Sequence, residues 1–207
     1  MSHQIIFDNV SKGFDGKPVL SSQSLQLTAG KYRLDGANGA GKSTVLKLIA
    51  GVERVDKGCI NLIPTVPSTG SNDNDGFFVV ADWVVFPSTM PLHVVVGIYI
   101  RHGNIDEKRL NALIVRLHLS DYMRQCVNEI STGTLQKIKL VLALASHADW
   151  LLLDEPFNGL DSVALPYFLH AFNEEQRAII IVDHRSDERL KTDQTIKLEQ
   201  NLLCLIQ

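Results

Sequence analysis

Short apolar runs and segments of helical periodicity alternate along the chain. Six short, mostly apolar segments predict strands, at residues 5–7, 25–27, 32–34, 77–80, 150–153 and 178–182. Four other segments predict helices, at residues 42–50, 106–119, 135–146 and 164–172. Turn-forming residues predict a tight turn at Asp15 and Gly16 and an exposed loop at residues 64–76. Strands that alternate with helices favour an α/β fold with a largely parallel sheet.

The composition is that of a globular protein with a substantial core. The chain has 207 residues, 45% of them hydrophobic, which suits one domain or one domain with a subdomain. Its formal charge is −3 and no basic run stands out, so we expect no nucleic-acid partner. Cys59, Cys126 and Cys204 lack the spacing of metal ligands, and an odd number of thiols fits a reducing cytosol.

The sequence contains neither a recognisable secretion signal nor a candidate membrane span. Residues 1–4 lack the basic and apolar stretches of a signal peptide. The most apolar stretch, residues 94–100, is bounded by His93 and Arg101 and is far shorter than the roughly 20 residues that cross a bilayer. We therefore expect a cytoplasmic protein that acts at a membrane only through a partner.

A glycine-rich segment connects the strand at 32–34 to the helix at 42–50. It matches the pattern G-x-x-x-x-G-K-[ST] and consists of Gly36, Ala37, Asn38, Gly39, Ala40, Gly41, Lys42, Ser43 and Thr44. Glycines let backbone N–H groups curl around phosphates, and the following helix points its N-terminus at the anion. Lys42 is suited to reach the β- and γ-phosphates, and Ser43 to ligate magnesium. The segment predicts a site for a nucleoside triphosphate with Mg²⁺.

Two carboxylates follow the apolar run at 150–153. Ligands of α/β sheets bind at the carboxyl ends of the strands, which is where Asp154 and Glu155 are expected. Asp154 is suited to hold magnesium, directly or through water. Glu155 is suited to act as the general base on an attacking water. Apolar strands that end in acids are common, so this interpretation depends on the glycine-rich loop upstream.

The order of motifs along the chain resembles the nucleotide-binding domain of ATP-binding cassette (ABC) transporters. The phosphate loop is followed by Ile-Ser-Thr-Gly-Thr at 130–134, Leu-Asp-Glu-Pro at 153–156, Gly-Leu-Asp at 159–161, and then His184. The resemblance extends from residue 5 to about residue 198. Taken alone, a histidine after the strand at 178–182 is more often a surface or capping residue than a catalytic one. The resemblance implies that His184 is the catalytic switch histidine near the γ-phosphate.

Further residues gain roles from the resemblance. Phe14 matches the aromatic residue that stacks on adenine, and a buried core phenylalanine is the alternative. Ser131 and Gly133 match the signature segment, which contacts the γ-phosphate held by the opposite subunit. Asp161 matches a loop that crosses the dimer interface. These roles imply that two subunits, alike or different, enclose two ATP molecules between them.

The resemblance also implies an architecture. We expect a P-loop NTPase core with a mostly parallel sheet, an N-terminal antiparallel β subdomain and an inserted α-helical subdomain. Residues 1–207 would form one ATP-binding domain, with the core in 1–82 and 149–207 and the helical subdomain in 83–148.

The chain departs from the family pattern in two places. The usual signature is Leu-Ser-Gly-Gly-Gln, and here Thr132 and Thr134 replace a glycine and the glutamine. The replacements are either tolerated drift or a cause of weak or asymmetric hydrolysis. The family also has a glutamine between the phosphate loop and the signature, and this chain lacks it: the corresponding position is Ala81 or Asp82. Asp82 offers a magnesium-binding oxygen, but on a shorter side chain. The apolar residues 83–86 are either core or part of a groove for a helix of the membrane subunit.

These observations predict an ATP-binding and ATP-hydrolysing subunit of an ABC transporter. Its expected partners are a second nucleotide-binding subunit and a separate membrane-spanning subunit, which would hold it at the inner face of the membrane. The alternative is a soluble regulatory or assembly ATPase of the same class. A nucleotide-dependent kinase would leave Ser131, Gly133 and His184 unexplained.

Overall fold

The computed structural model describes residues 3–64, 76–183 and 190–206, which form nine strands and five α-helices. The strands are β1 (His3–Phe14), β2 (Lys17–Leu27), β3 (Lys31–Asp35), β4 (Lys57–Pro64), β5 (Phe77–Val80), β6 (Trp150–Asp154), β7 (Ala178–Val182), β8 (Gln194–Glu199) and β9 (Leu202–Ile206). The helices are α1 (Lys42–Ile49), α2 (Leu92–His102), α3 (Glu107–Arg116), α4 (Thr132–Ala145) and α5 (Ala164–Glu174). Within these ranges no helix is long and apolar enough to cross a membrane.

An antiparallel sheet with the order β2-β1-β4 forms the N-terminal layer. Its hairpin turns at Asp15 (φ 48°) and Gly16 (φ 77°), the two positive φ angles that a tight hairpin with right-handed twist requires. The Lys12 ammonium lies 2.9 Å from Glu53 Oε1 and 3.3 Å from Asp56 Oδ1, which fastens the hairpin to the segment that follows α1. The hairpin is therefore held beside the helix that follows the glycine-rich loop.

The second sheet is mostly parallel, with the order β5-β6-β7-β3-β8-β9. Its first five strands run in parallel, and β9 pairs antiparallel with β8. Strands β6 and β7 are buried along their whole length, as expected of central strands covered on both faces. Parallel pairing brings the carboxyl ends of β3, β6 and β7 to one edge, where the polar loops of the site begin.

The parallel sheet separates two apolar clusters. Alternate residues of each strand face opposite sides, so Leu151 and Ile179 join one cluster while Leu152 and Ile180 join the other. Helices α2 to α5 cover the first cluster, whose largest fully buried side chains include Phe168. Helix α1 and the antiparallel sheet cover the second. The glycine-rich loop lies at the edge of this second layer.

The end of α4 is fixed by a polar network beneath the helices. The Arg177 guanidinium donates to the carbonyls of Ala143 (3.2 Å), Leu144 (3.3 Å) and Ser146 (2.5 Å), which no further helical turn can satisfy. It also donates to Glu175 Oε2 at 2.6 Å. Burial alone would raise the pKa of the Glu175 carboxyl, but the hydrogen bond and charge of Arg177 outweigh it and lower that pKa.

The structure confirms the predicted α/β fold class, with an antiparallel N-terminal sheet and helices gathered between β5 and β6. All six predicted strands and four predicted helices are present, although several have different ends. Helix α3 begins after Asp106, whose carboxylate accepts from Arg109 N at 3.0 Å as an N-terminal cap. The sequence patterns did not predict α2, β4, β8 or β9. The loop predicted at 64–76 lies mostly outside the described residues, and the subdomain boundary at 83–148 stays a prediction.

Replacing Glu175 with glutamine tests the network at the end of α4. We expect Glu175→Gln to lower the free energy of unfolding at pH 7 by about 1–3 kcal/mol, because Arg177 loses a charged hydrogen-bond partner. The folded-state pKa of Glu175 lies below the value of 4.5 for a free glutamate. The difference in free energy of unfolding between the parent and the variant is therefore complete above pH 4.5. It disappears as the pH falls through the folded-state pKa of Glu175. Urea unfolding at several pH values measures this, and a pH-independent difference would contradict the assignment.

Candidate nucleotide site

The glycine-rich loop is shaped by close contact with the antiparallel sheet. Gly39 (φ 78°) and Gly41 (φ 106°) adopt left-handed backbone conformations. A Cβ atom at Gly41 would lie 2.3 Å from Cγ1 of Val19 on β2, so this position has no room for a side chain. The Lys42 side chain curls back over the loop, where its ammonium donates to the carbonyls of Gly36 (2.6 Å) and Ala37 (3.1 Å).

A cleft of about 630 Å³ lies between this loop and the ends of β6 and β7. It is lined by Gly39, Gly41, Lys42, Ser43, Thr44, Asp154, Glu155, Asn158 and Val182. The cleft thus brings together the predicted phosphate-binding and carboxylate residues, which are far apart in sequence. A cationic side chain, a helix N-terminus and the hard oxygen donors of Ser43 and Asp154 fit a triphosphate with Mg²⁺.

Asp154 is held by a tryptophan that the sequence patterns did not assign to the site. The Asp154 side chain is nearly buried, and its Oδ2 accepts a hydrogen bond from Trp83 Nε1 at 3.4 Å. Asp82 is exposed and lines a neighbouring groove instead of the cleft, and Ala81 is buried. The residue beside the metal-suited carboxylate is therefore Trp83, and the interpretation of Asp82 as a magnesium ligand loses its support.

Glu155 has a constrained backbone at the mouth of the cleft. Its φ of 50° lies in the left-handed region, which is costly for a residue with a side chain. Two backbone hydrogen bonds hold it there: Glu155 N donates to Val182 O at 2.8 Å, and Asn158 N donates to Glu155 O at 3.2 Å. Asn158 Nδ2 also donates to the carboxylate, at 3.3 Å from Oε2. Such conformations cluster at functional sites, where the surrounding structure maintains them.

The signature segment forms the start of α4. Ser131 caps the helix, and its Oγ accepts from Thr134 N at 3.2 Å and lies 2.9 Å from Thr134 Oγ1. A Cβ atom at Gly133 would lie 2.4 Å from the carbonyl oxygen of Gly159, so the two backbones are in direct contact. These residues do not line the cleft of their own chain. The start of α4 is therefore not part of the nucleotide cleft in this chain.

Asp161 is linked by an ion pair to α4, the helix that begins with the signature segment. Its Oδ1 accepts from Ala164 N at 2.7 Å, and its Oδ2 lies 3.0 Å from the ammonium of Lys137 on α4. The Ala164 N–H and then the Lys137 ammonium lower the pKa of the Asp161 carboxyl. Gln136 adds a buried link between α4 and the loop after β6, with its Nε2 donating to Pro156 O at 2.7 Å.

The remaining two predicted site residues have different outcomes. Phe14 is 45% exposed at the end of β1, so it is not a core phenylalanine. The Lys12 ammonium lies 4.7 Å from the centre of this exposed ring, and stacking of Phe14 on adenine stays a prediction. His184 lies outside the described residues, and its role stays a prediction.

Comparison with known proteins agrees with the geometry. The family model described as "ABC transporter" matches residues 20–158. The manganese transport system ATP-binding protein MntB of Bacillus subtilis is 32% identical, over 86% of this chain and 75% of that protein. The zinc uptake system ATP-binding protein ZurA of Listeria monocytogenes is 29% identical, over 89% and 77% of the two chains.

A solved structure supports the fold. The ATP-binding subunit of an ABC transporter superimposes with a TM-score of 0.81 at 24% identity, covering 99% of this chain and 89% of the other. The predicted fold class is thereby confirmed, whereas the division of the chain into core and helical subdomain stays a prediction. Because the family model spans more than half of the chain and a relative of known class exceeds 30% identity, this protein belongs to the ABC transporter family, as an ATP-binding subunit.

Proposed function

We propose that this protein hydrolyses ATP with Mg²⁺ in the cleft beside the phosphate loop and thereby drives a separate membrane-spanning subunit. The observation that carries the proposal is the convergence of Lys42, Ser43, Asp154 and Glu155 on one cleft from two separate chain segments. This set combines a phosphate-binding cation, two magnesium-suited oxygens and a base candidate. Each is a part that hydrolysis of a phosphoanhydride requires.

Phosphate binding would rest on the loop and the start of α1. An ammonium has three N–H donors, and in Lys42 two of these go to the carbonyls of Gly36 and Ala37. The cation is thus held at the loop before a phosphate arrives. Ser43 and Asp154 would hold Mg²⁺, which when bound neutralises phosphate charge.

Glu155 would take a proton from the attacking water as general base. Its left-handed backbone is fixed by Val182 O and Asn158, so the carboxylate cannot easily leave the mouth of the cleft. Maintaining such a conformation costs about 1–3 kcal/mol, which supports a functional reason for it. His184 remains the proposed switch residue near the γ-phosphate.

The site would be completed by a second subunit. Ser131 stands at the N-terminus of α4, where a helix favours an anion, but it does not line the cleft of its own chain. A head-to-tail dimer would bring this helix start to the nucleotide of the opposite subunit. The Thr134 hydroxyl lies 2.9 Å from Ser131 Oγ and would compete with a phosphate for it. This competition supports slow hydrolysis by the protein alone.

The membrane-spanning partner would dock beside the turn that follows β5. A groove of about 160 Å³ is lined by Asp82, Val84, Val85, Phe86, Val127, Thr132, Leu135, Gln136 and Lys139. Val85 at its rim is 80% exposed, which suits burial against a helix of the partner. The relatives are named for manganese transport and zinc uptake, so cargo differs among similar subunits. We therefore assign the cargo to the membrane subunit and place this protein at the inner membrane face through it.

Glu155→Gln tests the catalytic assignment. We expect the rate of ATP hydrolysis to fall by at least about 100-fold, because a general base typically contributes that much or more. ATP binding should persist, and ATP should cause the variant to accumulate as a dimer in size-exclusion chromatography. Asp121→Asn, which removes an exposed carboxylate elsewhere, serves as the control. Hydrolysis by Glu155→Gln at the parental rate would remove Glu155 from the mechanism.

Mixed dimers test whether the altered signature limits hydrolysis. The parent is mixed with excess Glu155→Gln subunits that carry Thr132→Gly in addition, so each intact cleft faces the restored glycine. Thr132 is exposed, and this substitution should leave the fold intact. We expect the rate of hydrolysis per parental subunit in this mixture to be several-fold higher than in a mixture of the parent with excess subunits that carry Glu155→Gln but keep Thr132. Equal rates in the two mixtures would show that Thr132 does not slow the reaction.

Val85→Asp tests the docking groove. Burying an unpaired carboxylate against an apolar helix would cost at least about 1.4 kcal/mol, so co-purification of the membrane subunit should fall about tenfold or more. Val115→Asp is the matched control, because Val115 is 67% exposed on α3, away from the groove. Loss of the partner with both variants, or with neither, would argue against this docking surface.

A further inference from the structure

Trp83 connects the turn after β5 to the carboxylate at the end of β6. Its Nε1 donates to Asp154 Oδ2 over 3.4 Å, and the ring is only partly buried. The distance is at the long end for a hydrogen bond, as is common for site contacts that shorten when a ligand binds. An indole N–H donates and cannot bind a cation, so Trp83 can act on a metal only through Asp154.

Two hydrogen bonds hold the turn that carries the indole, and one cation–π contact holds its ring. The turn that carries it is closed by Val84 N, which donates to Ala81 O at 3.2 Å. The Lys139 ammonium of α4 donates to the same Ala81 carbonyl at 2.8 Å. On the other side, the Lys47 ammonium of α1 lies 5.6 Å from the centre of the Trp83 ring, where a cation is attracted to the aromatic face. The turn is therefore tied to α4, and the indole ring that it carries is in contact with α1.

A metal-binding carboxylate needs a fixed orientation as well as a charge. Hydrogen bonds from a second layer of residues supply it, and their removal typically weakens metal binding by 10- to 100-fold. Through its bond to Oδ2, Trp83 would limit rotation of the Asp154 carboxylate and leave Oδ1 and one lone pair of Oδ2 for a cation. The side of Asp154 that faces the indole is then unavailable to bulk water.

We propose that Trp83 is a positioning residue that orients Asp154 for Mg²⁺ in this protein. The inference rests on the proposed function, because it assumes that Asp154 holds magnesium beside a nucleotide. It differs from a packing role for the indole in one respect: the N–H should matter only when the cation is bound. The same short turn presents Val84, Val85 and Phe86 to the groove and Trp83 to Asp154, so it contacts both surfaces at once.

Trp83→Phe removes the N–H and keeps an aromatic ring. ADP binding is measured by titration calorimetry with EDTA and then over a series of MgCl₂ concentrations, so that neither hydrolysis nor dimer closure is needed. We expect the Mg²⁺ concentration for half of the magnesium-dependent gain in ADP affinity to rise about tenfold. Affinity in EDTA should match the parent. Ser88→Ala, at an exposed position beyond the turn, is the control.

Tryptophan emission gives a second measurement, which can be made on the parent protein. The chain has two tryptophans. Trp150 is fully buried at the opposite end of β6 from Asp154, with its ring against Tyr32. Emission of the parent should therefore change when MgCl₂ is added to the ADP complex, through Trp83 alone. In Trp83→Phe this change should be absent.

The outcomes separate the inference from the proposed function. A parental magnesium requirement in Trp83→Phe, or an equal loss of affinity with and without Mg²⁺, would show that the indole only packs. If Trp83→Phe does not fold, the absence of a magnesium-dependent emission change in the parent would equally overturn the inference. Failure of the parent to bind ADP under any condition would overturn the proposed function, and this inference with it.

Discussion

Parallel pairing of β3, β6 and β7 decides where each polar group of the cleft lies. The register places Leu153 beside Ile181 and Asp154 beside Val182, while β7 pairs with β3. Segments more than a hundred residues apart in sequence therefore end at one edge of the sheet. The apolar residues of β6 and β7 pack on both faces, which makes a shift of register costly because it would break both clusters. A site built on these strand ends is fixed by the core.

Much of this arrangement could be predicted from the sequence. Buried strands appear as uninterrupted apolar runs, and the glycine-rich loop has a pattern whose physical reasons are local. Helix α2 was not predicted, since residues 94–100 are apolar on nearly every side of the helix and show no clear period. Strands β4 and β8 mix polar and apolar residues, β9 is a five-residue apolar strand at the sheet edge, and β1 contains register shifts that interrupt its alternation. For β1, β4 and β8, pairing with other strands, rather than local sequence, determines the structure.

In the candidate site too, some features could be predicted from the sequence and others could not. Lys42, Ser43, Asp154 and Glu155 belong to local motifs, and they share the cleft as expected. Three features depend on contacts between distant segments and have no local signal: Trp83 reaches Asp154 across 71 residues, Gln136 bonds to Pro156, and Glu155 has a left-handed backbone. A missing glutamine in the sequence thus indicated a departure from the family, but only the fold revealed which side chain lies beside the carboxylate.

The contact between Gly133 and Gly159 bears on how this family member can diverge. A side chain at 133 would strike a backbone carbonyl that cannot move aside without displacing the loop that carries Asp161. By contrast, the Thr132 side chain is exposed, and Thr134 bonds to Ser131 within its own helix turn. Substitution of the exposed Thr132 is therefore compatible with folding, whereas a side chain at position 133 carries a structural cost. The fold thus leaves one position of the signature segment open to change and closes its neighbour.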